Sequence, residues 1–147
     1  MIKKLLLLLL LILIGCSEPN NGTYKEYYDN GQVKKEEISR DGKVIYSRTY
    51  HENGQLRNEE TFRDGQKDGL LRYYYENGQL LSINTYNNGK LEGPSKTYYE
   101  NGQLIMAPNY KNDLMDGTFK FYLSDGRLFQ EDTYKDGELI KSKDFFE

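Results

Sequence analysis

Two hydrophobic patterns divide this chain of 147 residues. Leu5 to Ile14 form an unbroken apolar block, whereas from Thr23 onward apolar side chains recur singly or in pairs between polar clusters that contain Gly. In this second region Tyr27, Tyr50, Tyr74, Tyr98 and Tyr122 hold one equivalent position, and Val33, Leu56, Leu80, Leu104 and Leu128 another. Six residues after the second set come Ser39, Phe62, Tyr86, Tyr110 and Tyr134. Side chains alternate between the two faces of a strand, so this even spacing predicts that both sets share one face. Stacked repeat upon repeat, they would form a quasi-one-dimensional core in place of a globular one.

Turns punctuate the pattern at a fixed period. Asp29-Asn30-Gly31-Gln32 recurs as Glu52-Asn53-Gly54-Gln55, Glu76-Asn77-Gly78-Gln79, Glu100-Asn101-Gly102-Gln103 and Ser124-Asp125-Gly126-Arg127, with the glycines stepping by 23, 24, 24 and 24. A second set follows each: Asp41-Gly42, Asp64-Gly65, Asn88-Gly89, Asn112-Asp113 and Asp136-Gly137. Asn-Gly and Asp-Gly tolerate the positive φ angles of a two-residue type I′ hairpin, which is expected at both turns. The segments between them, about seven to nine residues long, suit strands rather than paired helices. The chain therefore reads as all-β, an elongated antiparallel meander of about eleven strands built from tandem hairpin repeats of ~24 residues. The first repeat carries Lys34-Lys35-Glu36-Glu37 where central repeats carry Leu81 and Ile83 or Ile105 and Met106, as a polar capping repeat would. Phe145 and Phe146 follow Phe121 and Tyr122 by 24 residues, and Lys141, Lys143 and Asp144 would blunt the last edge.

The apolar block belongs to a different device. Lys3 and Lys4 precede it and Leu13-Ile14-Gly15-Cys16 closes it, the order of a signal peptide over residues 1–15. Its ten residues are too few to span a bilayer, which takes about 20. The closing tetrapeptide resembles the lipobox of bacterial lipoproteins, which implies diacylglycerol on Cys16, cleavage before it and acylation, for example by palmitate, of the new amino group. Cys16 is then the lipidation site and residues 16–22 a polar tether ahead of a repeat array over 23–147. Ser17 sits where the resembling lipoproteins of diderm bacteria permit outer-membrane sorting, so the expected location is the cell envelope, lipid-anchored, at the outer membrane or cell surface in a diderm host.

The repeat itself carries a second resemblance. Tyr-Tyr-Glu-Asn-Gly-Gln-Leu, followed by Tyr-Asn-Asn-Gly-Lys-Leu-Glu-Gly, looks like the bacterial MORN-repeat variant of YwqK-like antitoxin proteins, over about residues 24–140. Gly69, Gly93 and Gly117 match the family's second glycine, while the first repeat has Tyr46 nearby and the fourth has Asn112-Asp113 where Gly is usual.

Composition narrows the chemistry. There are 20 basic and 23 acidic residues, and loss of Lys3 and Lys4 with the signal leaves 18 basic, a net −5 that disfavours nucleic acid as a partner. One Cys assigned to lipid and one His leave no zinc site, and His51 aligns with Tyr28, Tyr75 and Tyr99 beside a turn rather than beside a nucleophile. No catalytic residue can be named, no cofactor or metal is expected, and the chain is not expected to be an enzyme. Glu52, Glu76 and Glu100 could form an acidic row facing calcium, but side chains a repeat apart lie about two strand spacings, roughly 10 Å, from one another.

One surface feature remains. Lys25, Arg48, Arg72, Lys96 and Lys120 each lie two residues before Tyr27, Tyr50, Tyr74, Tyr98 and Tyr122, so cations and rings share a face. These ten residues are the candidate binding face, able to recognise anionic headgroups, glycans or acidic protein surfaces. The competing reading is a solvated stripe paired with Glu37, Glu60, Glu131 and Asp132. The expected function is a non-enzymatic envelope lipoprotein whose array binds a protein or glycan. The alternatives are an antitoxin or immunity-type protein, implied by the second resemblance, and a repeat surface that sits on anionic lipid.

Overall fold

The computed structural model describes residues 21–145. The signal peptide, Cys16, residues 17–20 of the tether and Phe146 lie outside the described residues. The described chain is all-β. In order it forms β1 (Gly22–Tyr27), β2 (Val33–Arg40), β3 (Lys43–Tyr50), β4 (Leu56–Arg63), β5 (Gln66–Lys67), β6 (Gly69–Tyr74), β7 (Leu80–Asn87) and β8 (Lys90–Leu91). It continues with β9 (Gly93–Pro94), β10 (Lys96–Tyr98), β11 (Leu104–Met106), β12 (Asn109–Lys111), β13 (Leu114–Met115), β14 (Gly117–Tyr122), β15 (Leu128–Lys135) and β16 (Glu138–Asp144). The main sheet runs β1-β2-β3-β4-β6-β7-β10-β11-β14-β15-β16, with β5 on β4 and β8 on β7. Its path of eleven strands in chain order is the expected meander. A second sheet, β13-β12-β9, is built from hairpin tips.

The two turns of each repeat differ, and only one is the expected type I′. At Asp41-Gly42, Asp64-Gly65, Asn88-Gly89, Asn112-Asp113 and Asp136-Gly137 both residues have positive φ, as a two-residue I′ loop requires. At the Asn-Gly turns only the glycine does, as at Gly31 with φ 82°. There the Gly31 amide donates to the Tyr28 carbonyl and the Tyr28 amide to the Gln32 carbonyl, at 2.9 and 2.8 Å. This is a three-residue loop, a type I turn closed by a left-handed glycine. Asn30 Oδ1 accepts from the Gln32 amide at 2.9 Å, and Asn53, Asn77, Asn101 and Asp125 repeat the bond. An Asn is selected here for that side-chain bond, not for a left-handed backbone.

The three-residue loop brings a bulge with it. Tyr27 faces Val33, yet Glu26 faces Lys35, so Lys34 has no residue opposite. Arg57, Leu81, Ile105 and Phe129 occupy the same place in later repeats. One extra residue reverses the side-chain parity of everything after it. Leu128 therefore shares a face with Tyr122, which it pairs, while Tyr134 turns to the opposite face and stacks on Phe119 with centroids 4.8 Å apart. The expectation that the leucines and the second aromatic set share one face is corrected on this ground.

Phe119 and Leu71 are the buried hydrophobic side chains, joined on the same face by buried Ser47, Ser95 and Asp132. Tyr110 also reaches Phe119, at 6.3 Å between centroids. The core is thin because a single sheet has only its folded-over tips to pack against. Those tips fold where Gly69, Gly93 and Gly117 take φ of 103°, 94° and 107° and interrupt the second strand of each hairpin. The first repeat has no glycine at this point, and β3 continues unbroken through Tyr46 with Ile45 unopposed as a bulge.

Bent tips lock onto one another. The Gly89, Asp113 and Gly137 amides donate to the Lys67, Leu91 and Met115 carbonyls of the preceding repeat at 2.8, 3.0 and 2.9 Å. Beside these bonds the Asn88 and Asn112 amides donate to Asp68 Oδ2 and Glu92 Oε2, at 3.2 and 2.8 Å. The acid that precedes each bending glycine thus caps the next tip. Asn21, which precedes Gly22, does the same for the Asp41 amide at 2.7 Å.

A side chain at the bend is opposed by conformation everywhere and by contact at one site. A Cβ on Gly69 would lie 2.6 Å from Thr61 Oγ1, whereas one on Gly117 meets nothing within 4 Å. Gly117→Ala is expected to lose about 1 kcal/mol or somewhat more from backbone strain alone, and Gly69→Ala measurably more. Urea midpoints of the two variants check the order, and equal losses would contradict it.

Candidate functional site

Residues directly opposite one another on neighbouring strands point to the same face, and the register assembles one row across the whole sheet. Lys25 faces Glu36, Glu36 faces Arg48, Arg48 faces Glu59, Glu59 faces Arg72, Arg72 faces Ile83 and Ile83 faces Lys96. Ala107 follows, its amide donating to the Lys120 carbonyl at 3.4 Å. Lys120 then faces Glu131, and Glu131 faces Lys143. All five expected cations lie in this row.

Beside it runs the row of tyrosines, spaced by aliphatic partners. Tyr27 pairs with Val33, Tyr50 with Leu56, Tyr74 with Leu80, Tyr98 with Leu104 and Tyr122 with Leu128. Each tyrosine lies two residues from its cation on one unbroken strand, so the ten expected residues do form a single surface. Tyr27 at the first edge is 57% exposed, and the others are half-buried by their neighbours.

Apart from Glu131, the partners of the cations are not the acids expected. Lys25 pairs with Glu36 at 3.1 Å, Arg72 with Glu59 at 3.2 Å, Arg48 with Glu59 at 3.8 Å and Lys120 with Glu131 at 3.9 Å. Of the acids named from the sequence, Glu131 alone lies in the row. Glu37 and Glu60 face Ser47 on the other side of the sheet and pair with Lys35 and Lys67 there, while buried Asp132 binds Gln130 and Ser142. Parity again explains the difference, since the bulge moves the acids by one position. Counted correctly, Glu36, Glu59, Ile83, Ala107 and Glu131 step by 23, 24, 24 and 24, a periodic signal present in the sequence.

Glu59 is the most fully engaged member. Tyr46 donates to its Oε2 at 2.7 Å and Tyr74 to its Oε1 at 3.0 Å, while Arg72 donates to Oε1 at 3.2 Å. Arg48 Nε donates to the Tyr46 hydroxyl at 2.6 Å and its guanidinium lies 4.9 Å from that ring's centroid. Burial disfavours the charged carboxylate, but the two hydroxyl donors and two guanidiniums outweigh it and hold Glu59 below the ordinary glutamate range. Burial first, then hydrogen bonding to this carboxylate, raises the Tyr46 and Tyr74 hydroxyls. Tyr46, absent from the sequence-based candidates, belongs to this cluster because no glycine bends β3 away.

His51 has a structural role shared with tyrosines. Tyr28, Tyr75 and Tyr99 donate from their hydroxyls to the carbonyls of Tyr50, Tyr98 and Tyr122 one repeat on, at 2.7, 2.8 and 3.1 Å. His51 Nε2 stands 3.0 Å from the Tyr74 carbonyl and fills the same rung. A shallow depression beside the first turns is lined by Tyr28, His51, Glu52, Asn53, Arg57 and Glu76. Among the described residues no three His, Cys, Asp or Glu side chains converge on a common point.

Comparison with known proteins bears on the repeat. The family profile described as "MORN repeat variant" matches residues 20–41, 40–64, 67–88, 91–112 and 115–136. No curated protein matches by sequence. Among solved structures the chain is similar to part of "Crystal Structure of TarM", at TM-score 0.42 and 9% identity over 83% of this chain and 21% of that one. It is also similar to a TarM mutant of S. aureus in complex with Fondaparinux, alpha-GlcNAc-glycerol and UDP, at TM-score 0.44 and 9% identity over 74% and 21%. For the "GtfA/B complex bound to UDP and GlcNAc" the values are 0.30 and 15% over 75% and 23%. The chain spans about a fifth of the length of each of these structures.

Two substitutions test the geometry. A carboxylate held below its unfolded pKa contributes stability that is present above the ordinary glutamate range and is lost as pH falls through its folded value. Glu59→Gln should therefore lower stability at neutral pH by about 1.5–3 kcal/mol and remove part of the acid-side loss seen in the parent chain, read from urea unfolding across pH. His51→Phe should cost about 0.5–1.5 kcal/mol through the lost rung, with His51→Tyr restoring it. Equal stability of the Phe and Tyr variants would show that the rung contributes nothing.

Proposed function

The chain belongs to the MORN repeat variant family, a repeat-based binding module, and from that premise we propose that it is a non-enzymatic adaptor of a bacterial envelope. Lipid on Cys16 holds the chain to the membrane, and the array presents its cation and tyrosine face to a protein or glycan partner. The observation that carries this reading is the single row in which Lys25, Arg48, Arg72, Lys96 and Lys120 run beside five tyrosines. That row has six cations against three carboxylates, in a chain whose net charge is −3.

A face of this kind suits extended contact. Each repeat contributes one cation and one ring at a spacing of about 10 Å, two strand separations, so contacts accumulate along a linear partner. Several acyl chains at the amino terminus make anchoring durable, because each buried methylene contributes about 0.8 kcal/mol.

The test has two parts. Cells expressing the full chain are labelled with an alkyne fatty acid, and label is expected on the parent protein and lost in Cys16→Ser. Photo-crosslinkers placed at Thr118 and Thr133, which face each other beside Lys120 and Glu131 on the cation face, are expected to capture a saturable partner in intact cells. Crosslinkers at Gly42, on a hairpin tip, should not. Absence of label would overturn the anchor, and equal capture from both places would overturn the face.

A further inference from the structure

The cation row is not uniform, and its irregularity is confined to two strands. In the early repeats the acid does two jobs: it pairs with the cations and it accepts a hydroxyl from the tyrosine that follows. Tyr50 donates to Glu36 at 3.4 Å and Tyr74 to Glu59 at 3.0 Å. The equivalent positions in the central repeats are Ile83, opposite Lys96, and Ala107, beside Lys120, whose side chains accept nothing from Tyr98 or Tyr122. Among the described residues the hydroxyls of Tyr98 and Tyr122 consequently have no protein partner. Lys96, between Ile83 and Ala107, has no ion-pair partner there either, and it is exposed. Lys120 beside it retains Glu131 at the long distance of 3.9 Å, with 49% of its side chain exposed.

Resting on the reading of this face as a binding surface, we infer that Lys96, Lys120, Tyr98 and Tyr122 form a subsite for an acidic glycan, a linear sugar chain bearing carboxylates. Its carboxylates meet Lys96 and Lys120, about 10 Å apart across two strand spacings. Its hydroxyls exchange hydrogen bonds with the two free phenols, whose rings offer amphipathic faces to the sugar.

Three features favour a glycan over other polyanions. The subsite lies on the sheet face, where backbone donors and acceptors are already used within the sheet, so an extended acidic peptide would find no strand to pair with. The most exposed aliphatic side chains, Ile140 at 62% and Leu139 at 54%, lie on the last strand, whereas Ile83, Leu104 and Leu128 beside the subsite are half-buried and do not protrude as lipid-inserting groups do. The four residues are also spread over β10 and β14 of one sheet rather than gathered round a point, which suits a polymer and not a small molecule.

The test restores what the central repeats lack. In the full chain, Ile83→Glu with Ala107→Glu supplies the missing acids without removing any proposed contact, and Lys96→Gln removes the unpaired charge at an exposed position. Calorimetry with oligogalacturonate as probe is expected to show salt-sensitive binding by the parent, weakened about tenfold or more in both variants, and no binding of neutral dextran. Far-UV circular dichroism and urea midpoints establish that the variants fold, and Lys96→Gln alone decides if the double variant does not. Binding of poly-L-glutamate or phosphatidylglycerol vesicles as tight as that of oligogalacturonate, unchanged affinity in the variants, or no binding of oligogalacturonate overturns the subsite. A partner captured in intact cells by the Thr118 and Thr133 crosslinkers in that event leaves the module reading standing; its absence removes both.

Discussion

The structure depends on bonds between consecutive repeats at fixed offsets. A single sheet with a thin core cannot rely on burial alone, and among the described residues Phe119 and Leu71 are its buried hydrophobic side chains. Repeat-to-repeat bonds run along both margins instead. Along the Asn-Gly margin, Tyr28, His51, Tyr75 and Tyr99 reach the carbonyl of the next repeat, while Asn30, Asn53 and Asn101 donate to the Glu52, Glu76 and Ser124 carbonyls. Along the tip margin, glycine and aspartate amides reach back to the preceding tip. Each bond is worth little alone, but a register slip would break every one of them together.

That constraint explains why turn residues vary less than strand residues. The Gln55 side chain leans over Gly78 so closely that a Cβ there would lie 2.7 Å from its Oε1. The Asn-Gly-Gln triplet therefore does three things at once: Asn closes its own loop and reaches the next, Gly takes the left-handed backbone, and Gln packs on the following glycine. Strand positions on the cation face carry no such duty. Glu36, Glu59, Ile83, Ala107 and Glu131 occupy equivalent places with unlike chemistry, and the sheet accommodates all five.

The fold was legible in the sequence to the level of strand order, because turn dipeptides at a regular spacing admit few alternatives to a meander. The bending glycines were visible as a match to a known repeat, but their consequence, a second small sheet of tips, depends on a backbone conformation that spacing does not express. The candidate face was legible for its cations and tyrosines, which lie on one unbroken strand per repeat. Their partners were not, because the count from turn to acid crosses a bulge. Parity is a global property of a strand, and one unopposed residue such as Arg57 overturns it for every residue beyond.

The same bulge gives the protein its two unlike faces. Without it, Leu128 and Tyr134 would share a side and the aromatic side chains would crowd a single surface. With it, one aromatic set packs beneath the folded tips, where Tyr134 and Tyr110 enclose Phe119, and the other stays beside the cation row. The three-residue loop that produces the bulge is in turn specified by Asn and Gly at the turn, so a local choice of turn residues determines which side chains face solvent some six residues later. Chemistry on the exposed face can then change from repeat to repeat while the inter-repeat bonds stay constant, which is how the central strands lose their acids without losing their register.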